Sequence, residues 1–251
     1  MQLIRNFSTF LLFLGISSLC QANSDETSIA YNWARSGLNI RDSPERRAKV
    51  MGAIPFGETV EILEETTREL SIELSDVFSQ KFSEGGSSYY VEGSWVKVKF
   101  GKIVGYAFDG YLAAFPPMQF IEAKDGNAYP EGFESYLRML SVPIDSSITA
   151  EPNSDYRHRN IRFANGATYE KRGNVGWYEE VFMLPEASLK VGFLFFQLGF
   201  ESMDFIGVDD SEKVYIMKQN SRALIFSGAL GMEYEIYQFG STLIIRISDS
   251  C

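Results

Sequence analysis

The chain is poor in the residues that most often do chemistry. Its 251 residues include one histidine, His158, and two cysteines, Cys20 and Cys251. A Ser-His-Asp or Cys-His machine would have to use His158, which reads as a polar loop residue between two bases in Tyr156-Arg157-His158-Arg159-Asn160. Cys251 is the last residue and cannot supply the thiol that a Cys-His peptidase places at a helix start. One histidine and one terminal cysteine do not make a zinc site either. Asp209-Asp210-Ser211-Glu212 offers hard oxygen ligands, but without the spacing of an EF-hand loop. There is no Gly-x-Gly-x-x-Gly and no Walker loop, so no nucleotide cofactor is implied. The sequence therefore assigns no catalytic residue, no metal and no cofactor. A converging carboxylate pair is the one catalytic route it leaves open.

Positive charge is also scarce. Lys and Arg number 23 against 33 Asp and Glu, a net charge of −10. That balance argues against nonspecific nucleic-acid binding and against docking on anionic lipid. Long apolar runs are missing from the body of the chain, so no membrane span is expected. Val191–Phe200 is too short to cross a bilayer and is interrupted by Gln197 and two glycines. The N-terminus is different. Arg5, then Phe10-Leu11-Leu12-Phe13-Leu14-Gly15-Ile16, then Cys20-Gln21-Ala22 follow the charge, apolar run and small-residue order of a cleaved export signal, residues 1–22. Lipidation of Cys20 is the alternative, although Leu19 stands where a small residue is preferred. Cleavage after Ala22 would leave Cys251 without an intramolecular partner, either as an inert terminal thiol or for an intermolecular disulfide.

What the chain has in quantity is alternation. Leu38-Asn39-Ile40-Arg41 points in and out with period two, and Asp42-Ser43-Pro44 ends it. Pro55-Phe56-Gly57 turns into a second alternating strand, Glu58–Leu63. Trp95–Phe100 is a third, joined through Gly101-Lys102 to Ile103–Ala107.

Three segments carry a resemblance. They are Ser36–Pro44, Val50–Ile62, and Gly93–Val98 with Val104–Leu112, and their succession resembles the bacterial SH3-like (SH3b) family. The resemblance covers residues 29–115. It implies a small β-barrel that binds rather than catalyses, of the kind carried by exported cell-envelope proteins. It also implies that Gly105 lies where two backbones come close, and that Trp95 is structural. Asn39 and Arg41 fall in the family's Leu-Asn-x-Arg motif, where the Asn stabilises a turn and the Arg packs across the sheet. Residues 64–92 depart from the pattern and read as a long, solvated hairpin extension, either a loop without a role or a partner-contact arm.

Phe115-Pro116-Pro117 marks a boundary, and residues 118–251 read as an α+β domain of unassigned specificity. Gly132–Leu140 puts Phe133, Tyr136, Leu137 and Leu140 at helical spacing. Ala164-Asn165-Gly166 is a hairpin turn between Asn160–Phe163 and Ala167–Lys171, and Trp177–Leu184 is a strand. Pro185–Phe200 is long enough to favour a helix, with Leu189, Phe193, Phe196 and Phe200 on one face; a buried strand is the alternative. Strands at 213–218, 223–226, 233–238 and 242–248 form a closing meander. The fold class is mainly β: an SH3-like barrel followed by an α+β domain with an antiparallel meander.

Recognition is the expected activity. Tyr31, Trp33, Phe108 and Tyr111 flank turns of the barrel and are the candidate groove, since aromatic rings give large contact area at low entropy cost. The expected partner is peptidoglycan or a peptide or protein of the envelope. The competing expectations are an envelope hydrolase with carboxylate catalysis in the second domain, and an extracellular protein that binds another protein through residues 116–251.

Overall fold

Period-two alternation builds two antiparallel sheets, and one largely apolar helix packs on the second sheet and reaches the loop after the first strand of the other. The computed structural model describes residues 28–73, 90–122, 128–202, 215–227 and 232–250. The leader, Cys20, Asp209–Glu212 and Cys251 lie outside the described residues.

The first sheet contains β1 (Ser28–Asn32), β2 (Leu38–Arg41), β3 (Val50–Ile54), β4 (Thr59–Glu73), β5 (Tyr90–Phe100), β6 (Ile103–Phe108) and β7 (Leu112–Ala113). Its order is β3-β2-β6-β5-β4-β1-β7, with one 3-10 turn at Asp109–Tyr111 between β6 and β7. Leu38, Ile40, Ile54, Val60, Val98 and Ala107 face inward and are buried. Gly105 lies on β6 against β2. A Cβ there would stand 2.5 Å from the Arg41 carbonyl oxygen and 2.7 Å from Ile40 Cγ2, so the crossing needs glycine.

The turn-fixing asparagine is Asn32, not Asn39. Asn32 is fully buried, and its Nδ2 donates to Ile54 O at 2.8 Å while its Oδ1 accepts from Ala34 N at 2.9 Å. Asn39 is exposed. Its place in an alternating strand turns it outward, whereas Asn32 ends β1 where two turns meet.

The hairpin extension is a paired stem with a packed inner side. β4 and β5 pair as far as Glu73 with Tyr90, past register shifts between Ile62 and Glu64 and between Glu65 and Glu69. Leu70 and Ile72 pack on the core, and Val91 is buried in it. The sequence weighed the charges of this stretch above its weak alternation. Among the described residues of the stem the charges occupy only the outer side; residues 74–89 lie outside the described residues.

After β7, β8 (Phe120–Glu122) and β9 (Ala128–Pro130) form a two-stranded ribbon, followed by α1 (Phe133–Leu140). Phe133, Tyr136 and Leu137 are its buried face, as their spacing predicts. The second sheet holds β10 (Pro143–Ala150), β11 (Arg157–Phe163), β12 (Thr168–Asn174) and β13 (Trp177–Pro185). After α2 (Leu189–Ser202) come β14 (Tyr215–Asn220), β15 (Ala223–Ser227), β16 (Glu233–Phe239) and β17 (Thr242–Ser250). The order β10-β11-β12-β13-β17-β16-β15-β14 joins two four-stranded meanders through β13 and β17. The closing meander thus becomes half of a larger sheet.

Several elements differ from what the sequence predicts, β1, β3 and the β8–β9 ribbon among them. β10 was not anticipated: all eight of its residues are exposed at the sheet edge, so no face selected an alternating pattern. Helix α2 is buried around its circumference, with Val191, Phe193, Leu194, Phe195, Phe196 and Leu198 all inside. A single apolar stripe suits a helix on a surface, whereas α2 is enclosed. Gly192 permits that enclosure on the sheet side, where a Cβ would collide with Ile236 Cγ2 and stand 2.8 Å from Leu243 Cδ1.

Candidate ligand-binding pocket

A cavity of about 500 Å³ opens on the barrel. Its floor and walls are partly apolar: Trp95 from β5, Phe108 from β6, Tyr111 from the 3-10 turn, and Leu70 and Ile72 from the hairpin stem. Arg35, Arg41 and Arg46 stand around it, with Asn39 beside them, and Gln197 reaches it from α2. The positively rotated Gly37, with φ of 85°, lets the chain fold back between Ala34 and β2 to form one wall.

Local bonds fix the pieces. Arg41 Nη1 donates to Ala48 O at 2.6 Å, which holds its guanidinium across the β2–β3 loop. Arg35 lies over the Phe120 ring, 4.5 Å from its centroid. Phe108 and Tyr111 meet edge to face with centroids 5.9 Å apart. Trp95 is buried and faces the pocket, and its carbonyl accepts from Thr66 Oγ1 at 2.5 Å. The Asp109 Oδ1 accepts from Ser94 N at 2.6 Å, and the Asp109 carbonyl accepts from Lys190 Nζ at 3.0 Å.

Of the four candidate groove residues, Phe108 and Tyr111 line the pocket together. Tyr31 is half-buried on β1, opposite Thr59 and Ala113, and does not line it. Trp33 leaves the groove altogether. It is 2% exposed, its Nε1–H donates to Phe115 O at 2.9 Å, and its ring packs edge-on against Phe195. An indole beside a turn was placed at the surface by its neighbours in sequence. Its covering ring comes from α2, which sequence proximity does not show. Arg35, Arg46 and Gln197 were missed among the lining residues. The available signal was the pair of loops flanking Leu-Asn-x-Arg, both of which carry arginine.

His158 is not in a loop. It lies on β11, half-buried, with Nε2 3.0 Å from Glu170 Oε1 on β12. On the same side of the sheet, Arg246 joins two carboxylates. Its Nη1 donates to Glu235 Oε2 at 2.5 Å and its Nε donates to Glu179, which also accepts from Arg172. Burial alone would raise the Glu179 carboxyl, but the hydrogen bonds from Arg246 and Arg172 outweigh it and hold the group below the ordinary glutamate range. A carboxylate held ionised in this way is not a proton donor near neutral pH. Among the described residues, no group of three or more His, Cys, Asp or Glu is placed to hold a metal ion. Among them also, no helix is long and apolar enough to cross a membrane.

A curled antiparallel sheet with a pocket beside its first loop defines a small β-barrel module of the SH3-like class. Residues 36–113 match the family model of the bacterial SH3 domain, and this stretch of the chain is a bacterial SH3 domain. No curated protein and no solved structure matches the chain.

Proposed function

We propose that the protein is an exported, non-catalytic binding protein of the bacterial cell envelope, whose SH3 domain recognises a peptide or a peptidoglycan element. The observation that carries this reading is the pocket of about 500 Å³ on the matched domain, with Trp95, Phe108 and Tyr111 presented to it. Bacterial SH3 domains are binding modules, often of cell-wall-related proteins, and a half-apolar cavity with a few polar groups is the usual form of a ligand site. The charge, apolar run and small-residue order of residues 1–22 supports export. The chain divides at Pro116-Pro117 into the SH3 domain, 29–115, and a second unit, 118–251, which contributes Gln197 to the pocket. Purified cell-wall sacculi are the test. The full chain is expected to sediment with them, and Tyr111→Ala, at a half-buried position on the pocket, to remain in the supernatant while keeping its fold. Equal recovery of both in the supernatant would overturn the envelope reading. Release of soluble fragments from the sacculi would overturn the non-catalytic part.

A further inference from the structure

The charge around the pocket is at odds with the charge of the chain. The protein carries net −10, yet among the described residues those lining the pocket include three arginines and no Asp or Glu. The acids adjacent in sequence are engaged elsewhere. Glu45, next to Arg46, bonds Arg68 Nη1 at 3.0 Å. Asp109, between Phe108 and Tyr111, is taken by Ser94 N and faces Lys190. Asp42, next to Arg41, is exposed and does not line the cavity.

Guanidinium groups offer planar, paired donors that match a carboxylate, and a concave, partly apolar wall strengthens such a charge-assisted bond. The aromatic and aliphatic floor asks for an apolar body between the charges, which a bare phosphate or an uncharged glycan lacks. From this we infer that the ligand of this pocket is a carboxylate-bearing peptide, bound with its acid groups on Arg41 and Arg46 and its apolar side chain on Trp95, Phe108 and Tyr111. This inference rests on reading residues 36–113 as the recognition module, and it names the chemistry that module selects. The local positive field also draws an acidic ligand toward one face of an otherwise repulsive surface.

The test uses the full chain and two fluorescein-labelled, C-terminally amidated peptides, Gly-Glu-Leu-Glu-Gly and its isostere Gly-Gln-Leu-Gln-Gly, read by fluorescence anisotropy. The acidic peptide is expected to bind at least about tenfold more tightly at low salt, and to lose that advantage as salt rises. Arg41→Gln with Arg46→Gln is expected to abolish the preference, and Arg46→Gln alone, at an exposed position, to weaken it without shifting the melting temperature. Lys102→Gln, on the β5–β6 turn, removes the same kind of charge elsewhere and is expected to leave the preference intact. Equal affinity for the two peptides overturns the inference, as does a preference that survives the double arginine variant. Displacement of the acidic peptide by an equal concentration of inorganic phosphate overturns the peptide assignment. Sacculus binding separates this inference from the envelope reading. If the double variant still sediments with sacculi as wild type does, the envelope reading stands and the carboxylate reading falls. If acidic peptide binding depends on the arginines but sacculi are ignored, the reverse holds.

Discussion

Trp33 and Phe195 meet edge to face, with ring centroids 4.9 Å apart and planes at 88°. One ring comes from the loop after β1 and the other from the middle of α2, so the residues before and after Pro116-Pro117 share a contact that is fully enclosed. Phe195 in turn packs on Phe133, Tyr136 and Phe182. The buried apolar residues form one cluster that runs from Ala30 to Ile245. The Tyr136 hydroxyl ties the boundary itself, donating to Pro116 O at 2.9 Å.

Trp33→Ala should therefore destabilise the whole chain, not the barrel alone. Removing a buried indole costs about 3–5 kcal/mol. Denaturant unfolding followed by fluorescence and by far-UV circular dichroism should show one coincident transition moved to lower denaturant. Two separated transitions in the wild type would mean that the shared contact does not couple the units. The isolated segment 28–116 should fold, because it retains its own inward-facing strands, but melt below the full chain.

Gly105→Ala and Gly101→Ala separate close approach from backbone freedom. At Gly105 the added methyl meets Arg41 O and Ile40, and overpacking of this kind costs about 1–3 kcal/mol. At Gly101, with φ of 57°, no atom lies within 4 Å of the added methyl, and the loss should stay near 1 kcal/mol. Paired urea denaturation curves check the order, and a larger loss at Gly101 would refute it.

The hairpin stem should matter for stability. Replacing Glu65–Val91 with an Asn-Gly turn removes Leu70, Ile72 and Val91 from the core. At roughly 1.5–3 kcal/mol for each apolar side chain fully buried, and less for the two that are half-buried, the loss should be about 3 kcal/mol or more. An unchanged melting temperature would return the stem to the status of a dispensable loop.

Acid should find Glu179. Its carboxyl is held below the ordinary glutamate value, so its contribution to stability is complete above about pH 4.3 and is lost as pH falls through the lowered folded value. Arg246→Gln removes the donor shared by Glu179 and Glu235 and should cost about 1–3 kcal/mol at pH 7. The same variant should lose less stability than wild type between pH 5 and pH 3. Melting temperatures across that range, in constant salt, decide it.

The strands were legible where one face is buried and the other wet. Leu38–Arg41, Trp95–Phe100 and Thr242–Ser248 show this, because burial imposes period two on the residues themselves. Helix α1 was legible for the same reason at a different period, and Gly105 because a resemblance gave its place. Outside that logic the sequence said less. β10 has no buried face to leave a pattern, and α2 has no exposed one among its described side chains. Trp33 and Trp95 show the limit for the candidate site. Both are buried indoles, Trp33 in the loop after β1 and Trp95 in the middle of β5, but one fills a core and the other floors a pocket. The difference lies in what covers them: Phe195 from far along the chain for Trp33, and the hairpin stem with its pocket for Trp95. Arg35 and Arg46 become a pair only when two loops fold to the same rim.

The distance along the chain between Trp33 and Phe195 also sets an order of events. The barrel strands and their turns are close in sequence and can pair early, whereas the indole waits for α2, made long afterwards. Closing so long a loop is entropically expensive, so this contact belongs to the last stages of folding. Until then the edge of Trp33 that meets Phe195 lacks that cover. Chains that stop short of α2 should be sticky at that one spot, and a chaperone that holds the barrel would do so there.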